Sequence, residues 1–215
     1  MVNRSNQDFK KASLEMLNNY WVPALFVALI VWFLANSANT FTSSSVEEVY
    51  RNGEIIRKTV ERQSSFLGLL NFFFSGPAYF GGAAFFLNLM RRNNPEVKDV
   101  ISGFSNFFKY FLADLVMFIF IVLWALLLII PGIIAAYRYS MTWYILNDNP
   151  EMSFMDGIQR SKELMDGNKM ALFSLQISFF GWFLLAILTM GIGFIPLYAY
   201  YTGAKTAFYE ELIKN

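Results

Sequence analysis

Four long stretches without a charged side chain constrain this chain more than any other feature. They cover residues 18–46, 63–90, 115–137 and 170–204. A helix needs roughly 20 apolar residues to cross a hydrocarbon core about 30 Å thick, and each stretch is long enough. With 56% hydrophobic and 15% charged residues, the chain also lacks the polar surface of a soluble protein, which usually has about 25% charged residues. We therefore predict an integral membrane protein.

The chain contains neither cysteine nor histidine. Their absence excludes disulfides, thiolate nucleophiles and the usual zinc ligands, and it removes the commonest general base near neutral pH. The sequence has no phosphate-binding loop, nucleophile elbow or metal-ligand spacing. A net charge of +1 gives no strong attraction to nucleic acid. We expect a protein that is not an enzyme, with no catalytic residue, metal, cofactor or nucleic-acid partner.

The uncharged stretches predict six membrane spans. Residues 110–146 are too long for one span, and Ile130-Pro131-Gly132 is a turn signal that would divide them into a hairpin. One long helix broken at Pro131 is the alternative, and it would give five spans with the termini on opposite sides. The six predicted spans are 20–40, 65–90, 110–129, 133–146, 170–190 and 194–209.

The basic residues predict how the spans are oriented. Four of the 17 lie in residues 41–63, a polar segment that we predict to be extracytoplasmic. Both termini would then be cytoplasmic, as the excess of basic residues on the inner side favours. The basic residues on that side are Arg4, Lys10, Lys11, Arg91, Arg92, Lys98, Lys109, Arg138, Arg160, Lys162, Lys169, Lys205 and Lys214.

Short segments before the spans resemble one another. Residues 13–19 and 161–167 align at a constant offset of 148 residues (Ser13 with Ser161), and residues 99–108 form a weaker third copy. A duplication and a shared amphipathic constraint are both compatible with this match. In the last copy, apolar or small residues recur at helical spacing, at Phe154, Ile158, Ser161, Leu164 and Met165.

A helix of this kind would lie along the inner membrane surface with its apolar face toward the lipid. We predict an all-α membrane protein with a single domain over residues 1–215. It would consist of three units, 1–98, 99–147 and 150–209, each an amphipathic cytoplasmic helix followed by a membrane hairpin.

Asp114 and Arg138 are charges within the predicted spans, on opposite arms of the Pro-Gly hairpin. Lys205 lies in the last predicted span, and we expect its side chain to extend to the inner headgroups. A charge deep in a bilayer costs several kcal/mol and normally faces a partner inside the protein. We expect either an ion pair that holds the two arms together or an Arg138 side chain that extends to the headgroups. A role in transport or ligand binding is the alternative.

Small residues and prolines mark two places where helices would break or pack closely. Gly76, Pro77, Gly81 and Gly82 lie in the second span. Pro131 and Gly132 lie in the hairpin. Proline interrupts helical hydrogen bonding, and small residues let helices approach each other. We expect a kinked, tightly packed helix, and the alternative is a break that binds a substrate.

Seven segments form a recognisable pattern, at residues 128–134, 137–141, 144–150, 160–167, 179–185, 188–193 and 207–212. In order and spacing they resemble a bacterial membrane family catalogued as domain of unknown function 975. The resemblance covers most of residues 76–212, and it implies a multi-pass plasma-membrane protein without an established activity or catalytic residues. Pro131-Gly132-Ile133, Arg138-x-Ser140 and Arg160-Ser161-x-x-Leu164 are also remotely similar to the membrane domain attached to some glycerophosphodiester phosphodiesterases.

Two functions follow as hypotheses. The first is a non-enzymatic scaffold, partner-binding or regulatory module, which presents its amphipathic helices to membrane lipids and to a protein partner. The second is a transporter or lipid-handling protein, in which the second span and the charges Asp114 and Arg138 line a path. A cleft that reaches these charges would favour the second function, and a solid apolar interior would favour the first.

Overall fold

Helices dominate the part of the chain that the structure describes. The computed structural model describes residue 2 and residues 4–40, 42–51, 54–63 and 65–214. Within residues 36–71 it describes the backbone alone, and elsewhere it also describes the side chains. A 3₁₀ helix covers Val97–Phe104, and an antiparallel hairpin is formed by β1 (Thr42–Arg51) and β2 (Glu54–Gln63). The α-helices are α1 (Asn6–Leu17), α2 (Trp21–Thr40), α3 (Ser65–Arg91), α4 (Phe107–Leu127), α5 (Ile129–Arg138), α6 (Thr142–Asp148), α7 (Phe154–Leu164), α8 (Lys169–Ile177), α9 (Phe180–Leu188) and α10 (Phe194–Leu212).

The predicted helical class is confirmed, and the long helices begin and end close to the predicted spans. α2 and α3 match the first two spans to within a residue at each end. Residues 41–63, for which no secondary structure was predicted, contribute β1 and β2, with Thr42 opposite Gln63 and Arg51 opposite Glu54. The side chains of this segment lie outside the described part, so its extracytoplasmic position stays a prediction.

Two helical stretches among the described side chains are long and apolar enough to cross a membrane. They are α4 and residues Lys169–Leu188, which combine α8 and α9. A third would result if α1 and α2, which meet at a bend of 105°, formed one broken span. These helices are consistent with a membrane protein, and the arrangement of six spans stays a prediction.

The turn between α4 and α5 lies at Leu128, earlier than the predicted Pro-Gly turn. Leu128 is extended, with φ −161° and ψ 146°. Pro131 therefore lies in the first turn of α5, where its missing N–H removes no helical hydrogen bond. A Cβ added to Gly132 would lie 2.6 Å from the Ala125 Cβ, so α5 returns along α4. The alternative of one long helix broken at Pro131 is wrong.

α3 continues through Pro77 without ending there. Glycines on either side of this proline face neighbouring elements at backbone distance. A Cβ on Gly76 would lie 2.5 Å from a backbone oxygen of α4, and one on Gly81 would overlap the backbone of the 3₁₀ helix. Gly82 faces α2, with a valine methyl 3.0 Å from the position of its missing Cβ. The small residues therefore lie where α3 packs closely on three neighbours.

α1 and α7 begin with the same hydrogen-bonded cap. The Asp8 N–H donates to Ser5 Oγ (3.3 Å), and the Asp156 N–H donates to Ser153 Oγ (3.2 Å). Hydrogen bonds from the Ser5 side chain and backbone hold the pKa of the Asp8 carboxyl below its usual value. Such caps satisfy N–H groups that a helix start leaves free. In the 3₁₀ helix the Asp99 carboxylate likewise accepts from the backbone at the helix start.

The same two helices also end alike. Asn19 follows α1 with φ 67°, and Gly167 follows α7 with φ 75°. These left-handed residues redirect the chain into α2 and α8, which begin at Trp21 and Lys169. The offset of 148 residues found in the sequence therefore also relates the left-handed residues after both helices and the starts of the helices that follow.

Each of the three short helices touches the backbone of another hairpin. Ser13 Oγ of α1 donates to the Tyr200 carbonyl of α10 (2.8 Å), and Ser161 Oγ of α7 donates to the Arg138 carbonyl of α5 (2.8 Å). Gly103 of the 3₁₀ helix lies against the Pro77 carbonyl of α3, and a Cβ there would overlap that oxygen. The first hairpin contains α2 and α3, the second α4 to α6, and the third α8 to α10. α1, before the first hairpin, contacts the third; the 3₁₀ helix, before the second, contacts the first; and α7, before the third, contacts the second. We call this closed arrangement the docking ring.

The apolar faces of α1 and α7 point into the protein. Phe9 and Leu17 of α1 are 1% and 0% exposed, and Ile158 of α7 and the following Met165 are 3% and 0% exposed. Ser13 and Ser161 are fully buried beside them. The prediction that these faces lie on lipid is therefore wrong, because the helices use them to join the three hairpins.

Gly81→Ala and Gly181→Ala should have opposite effects on stability. The first places a methyl group on the backbone of the 3₁₀ helix, and such overpacking costs about 1–3 kcal/mol. Gly181 in α9 has nothing within 4 Å of its missing Cβ, so alanine there should stabilise by up to about 1 kcal/mol. Thermal unfolding in detergent measures both. Equal melting temperatures for the two variants would contradict the close packing of α3.

Candidate functional site

A cleft of about 440 Å³ lies between α3, α4, α5, α6 and α10. Most of the side chains that line it are aromatic or aliphatic. Asp114 of α4 and Lys205 of α10 are the charged members of this lining. Charged groups in an apolar wall are expensive to keep and usually serve a function. The cleft is therefore the candidate functional site.

Close packing between α3 and α4 positions Asp114. Ser75 Oγ donates to Asp114 Oδ2 over 2.6 Å. The neighbouring Gly76 makes this possible, because a Cβ at that position would lie 2.9 Å from the Asp114 Cβ. The hydroxyl thus satisfies one carboxylate oxygen while the group faces the cleft.

Lys205 approaches the same cleft from α10. Its Nζ lies 5.8 Å from the centre of the Tyr144 ring, within the range of a cation–π interaction. None of the described carboxylates forms an ion pair with Lys205, and Asp114 and Lys205 do not pair with each other. From the sequence, Lys205 was expected only to extend to the inner headgroups. Its role in the cleft depends on the packing of α10, which no local pattern indicates.

The predicted ion pair between Asp114 and Arg138 is not formed. Arg138 is the last residue of α5, outside the wall of the cleft, and its carbonyl is held by Ser161. Its side chain lies near Asp166, whose pKa is lowered chiefly by a hydrogen bond from Lys169 and in smaller part by Arg138. The helix ends at Arg138, which directs this residue toward the connection between α7 and α8 rather than along α4. Its buried Nε has no hydrogen-bond partner among the described atoms.

A second cavity, of about 590 Å³, lies between α2, α5, α8, α9 and α10. Its lining is mainly aromatic, and it includes Phe173, Phe183 and Tyr201 but no charged side chain. Tyr137 and Gln176 lie on its wall and hydrogen-bond to each other over 2.5 Å. This cavity can hold apolar groups, but it offers little to recognise a particular headgroup.

An ion cluster joins the last turns of three helices. Arg91 at the end of α3 binds both oxygens of Asp148 at the end of α6, over 2.5 and 2.9 Å. Its Nε donates to Glu210 of α10 over 2.7 Å, and Tyr209 donates to Asp148 over 2.7 Å. We call this cluster the Arg91 junction. Sequence analysis missed it, because Arg91 lies 57 and 119 residues from its two partners.

Direct contacts connect the cleft to the Arg91 junction. The Tyr144 ring under Lys205 stacks on Tyr209 with 5.1 Å between ring centres. Tyr209 in turn donates its hydroxyl to Asp148. The lysine in the cleft and the cluster at the helix ends therefore belong to one packed array on α6 and α10.

The chemistry of the cleft is that of two separate charges. Asp114 can hold a cation, and Lys205 can hold an anion. Among the described residues, no group of three histidine, cysteine, aspartate or glutamate side chains could hold a metal ion. The arrangement therefore suits a ligand that carries both signs of charge, or one of them, together with an apolar part.

The family described as Protein of unknown function (DUF975) matches the chain over residues 1–135 and 125–215. Because this match covers the whole length, the chain belongs to that family, as the resemblance of its sequence motifs implied. No curated protein and no solved structure matches the chain.

Replacing Arg91 with alanine should destabilise the protein far more than replacing Lys98. The side chains of Arg91, Asp148 and Glu210 are only 31%, 21% and 17% exposed, so two carboxylates would lose their shared cation. We expect a loss on the order of 2 kcal/mol. Lys98 pairs with Glu96 at 70% and 54% exposure, so water screens this pair and its loss should leave the melting temperature nearly unchanged. Melting temperatures in detergent test this, and equal shifts would contradict a structural role of the junction.

Proposed function

We propose that this member of the DUF975 family is a six-span membrane protein that binds a phospholipid in the cleft between Asp114 and Lys205. It would act as a lipid-handling protein or transporter. One observation carries the proposal: two opposite charges share an apolar cleft without pairing with each other. An amphiphile would supply the missing partners, since it combines polar groups with apolar chains.

Along α4, the wall of the cleft is charged at one end and apolar beyond it, which matches the distribution of polar and apolar groups in an amphiphile. Asp114, Met117, Phe118 and Ile121 all line it. Positions separated by three, four and seven residues share one face of a helix. The face is therefore charged at one end and apolar over the next two turns. A headgroup at Asp114 with its chains along Phe118 and Ile121 would match it.

The two charges lie at similar distances from the ends of their helices. Asp114 follows the start of α4 by seven residues, and Lys205 precedes the end of α10 by seven residues. Each interval corresponds to about 10 Å of helix. If both ends face the cytoplasm, the charges lie near the inner edge of the hydrocarbon core, within reach of inner-leaflet headgroups.

The scaffold function expected from the sequence has less support. It relied on amphipathic helices with free apolar faces, and those faces of α1 and α7 are buried within the protein. A partner would meet mainly the outer, polar sides of these helices. We therefore favour lipid handling over partner binding.

Cysteine labelling should test the proposed topology, because the chain has no cysteine of its own. Met190→Cys lies in the exposed turn after α9, and Met155→Cys lies on the exposed side of α7. A membrane-impermeant maleimide should label Met190→Cys in intact cells and Met155→Cys only after permeabilisation. Labelling of both variants in intact cells would refute the six-span arrangement.

Filling the cleft should remove lipid binding. Ala136 of α5 lines the cleft and is exposed to it, so Ala136→Phe should occlude it without disturbing the core. Ile133→Phe, on the same helix but outside the cleft, serves as the control. Native mass spectrometry of the full chain with a mixture of phosphatidylethanolamine and phosphatidylglycerol measures retained lipid.

We expect wild type and Ile133→Phe to retain one phospholipid each, and Ala136→Phe to bind at least about fivefold more weakly, a change of roughly 1 kcal/mol. Unchanged retention by Ala136→Phe, or no retention by wild type, would reject the cleft as a lipid site.

A further inference from the structure

We infer that the cleft selects a zwitterionic phospholipid with a primary ammonium group, bound with the ammonium at Asp114 and the phosphate at Lys205. Phosphatidylethanolamine has this chemistry. The inference rests on the proposed function and names the headgroup that the site would take.

The surroundings of Asp114 suit a group that donates several hydrogen bonds. One carboxylate oxygen already accepts from Ser75, and no hydrogen bond from the described residues engages the other. The hydroxyl of Ser140 also lines the cleft and donates to the Tyr137 carbonyl, so its oxygen can still accept. A primary ammonium has three N–H donors for such acceptors, whereas a trimethylammonium group has none.

The surroundings of Lys205 suit an anion. Its ammonium group contacts the face of Tyr144 and has no carboxylate partner among the described side chains. A half-buried cation without a counter-ion is costly, and a phosphate oxygen in the cleft would pair with it. Tyr144, whose ring faces the lysine, is itself stacked on Tyr209.

The combination of charges discriminates between headgroups. An anionic headgroup such as phosphoglycerol would satisfy Lys205 but would place its negative charge in the same cleft as Asp114. A cation without phosphate would satisfy Asp114 and leave Lys205 unpaired. Like charges brought together disfavour the wrong ligand, and opposite charges favour the right one. Of these headgroups, only a zwitterion satisfies both residues.

A membrane lipid, rather than a free small zwitterion, is the expected source of this headgroup. Beyond Asp114 the wall continues with apolar side chains, and Phe118 and Phe72 on it are 58% and 42% exposed. A soluble ligand such as phosphoethanolamine would leave this apolar wall uncovered. Acyl chains would cover it and add affinity in proportion to the apolar area buried.

Headgroup preference of charge-neutralised variants tests the inference. The full chain, purified in detergent and monodisperse, is titrated with phosphatidylethanolamine, phosphatidylglycerol and phosphatidylcholine of identical acyl chains, and bound lipid is counted by native mass spectrometry. Wild type should prefer phosphatidylethanolamine over either other lipid by about tenfold or more. Asp114→Asn should lose that preference and accept phosphatidylglycerol at least as well. Lys205→Gln should weaken phosphatidylethanolamine binding by about tenfold, and Lys205→Arg should restore it.

Matched controls are available on α1. Glu15→Gln and Lys11→Gln remove the same charges from side chains that are 69% and 78% exposed, so they should leave the preference of wild type unchanged. If Asp114→Asn does not fold, Lys205→Gln and Lys205→Arg still test whether the cleft binds the phosphate of the headgroup. Soluble phosphoethanolamine at millimolar concentration should not displace the lipid, and efficient displacement would overturn the assignment to a membrane lipid.

The failure of this inference is distinguishable from failure of the proposed function. If Ala136→Phe abolishes binding while Asp114→Asn and Lys205→Gln keep the wild-type preference, the cleft binds lipid but does not select the headgroup. Equal binding of phosphatidylcholine by wild type would overturn the role of the ammonium donors. If wild type retains no phospholipid at all, both proposals fall.

Discussion

The structure depends on three contacts in which a short helix meets the bare backbone of another hairpin. Two of them are buried serine hydroxyls on main-chain carbonyls, and the third is a glycine against the carbonyl of Pro77. Contacts to backbone fix both the distance and the rotation of the helices, because at most a short serine side chain lies between the two main chains. The docking ring therefore determines where α3, α5 and α10 stand, and with them the walls of the cleft.

Charged side chains have different partners at the helix ends and inside the cleft. At the Arg91 junction every charge has a partner, and the three return arms are joined there. In the cleft, the partner of Asp114 among the described side chains is a hydroxyl, and that of Lys205 is an aromatic ring. Since a protein without a ligand gains nothing from isolated charges in an apolar wall, this contrast is the physical basis for assigning binding to the cleft.

Patterns that act over a few residues predicted much of the local structure, but they could not predict contacts between distant residues. The uncharged stretches predicted α2 and α3 to within a residue at each end. The hairpin of β1 and β2 was not predicted, although Asn52-Gly53 is a strong hairpin signal in the sequence. The Pro-Gly pair located a hairpin but misplaced its turn, because proline also suits the first turn of a helix. Pairing Asp114 with Arg138 assumed one straight return arm. In the structure α5 ends at Arg138, and it is Lys205 of α10 that shares the cleft with Asp114.

The contact between Ser13 and Tyr200 joins residues 187 positions apart, and it closes the docking ring. During synthesis α1 leaves the ribosome long before its binding surface on α10 is made. Until then Phe9 and Leu17 need a temporary apolar neighbour, and the surface of the bilayer can provide it. Ring closure is thus a long-range step in the biogenesis of this protein, because it must wait for the synthesis of α10.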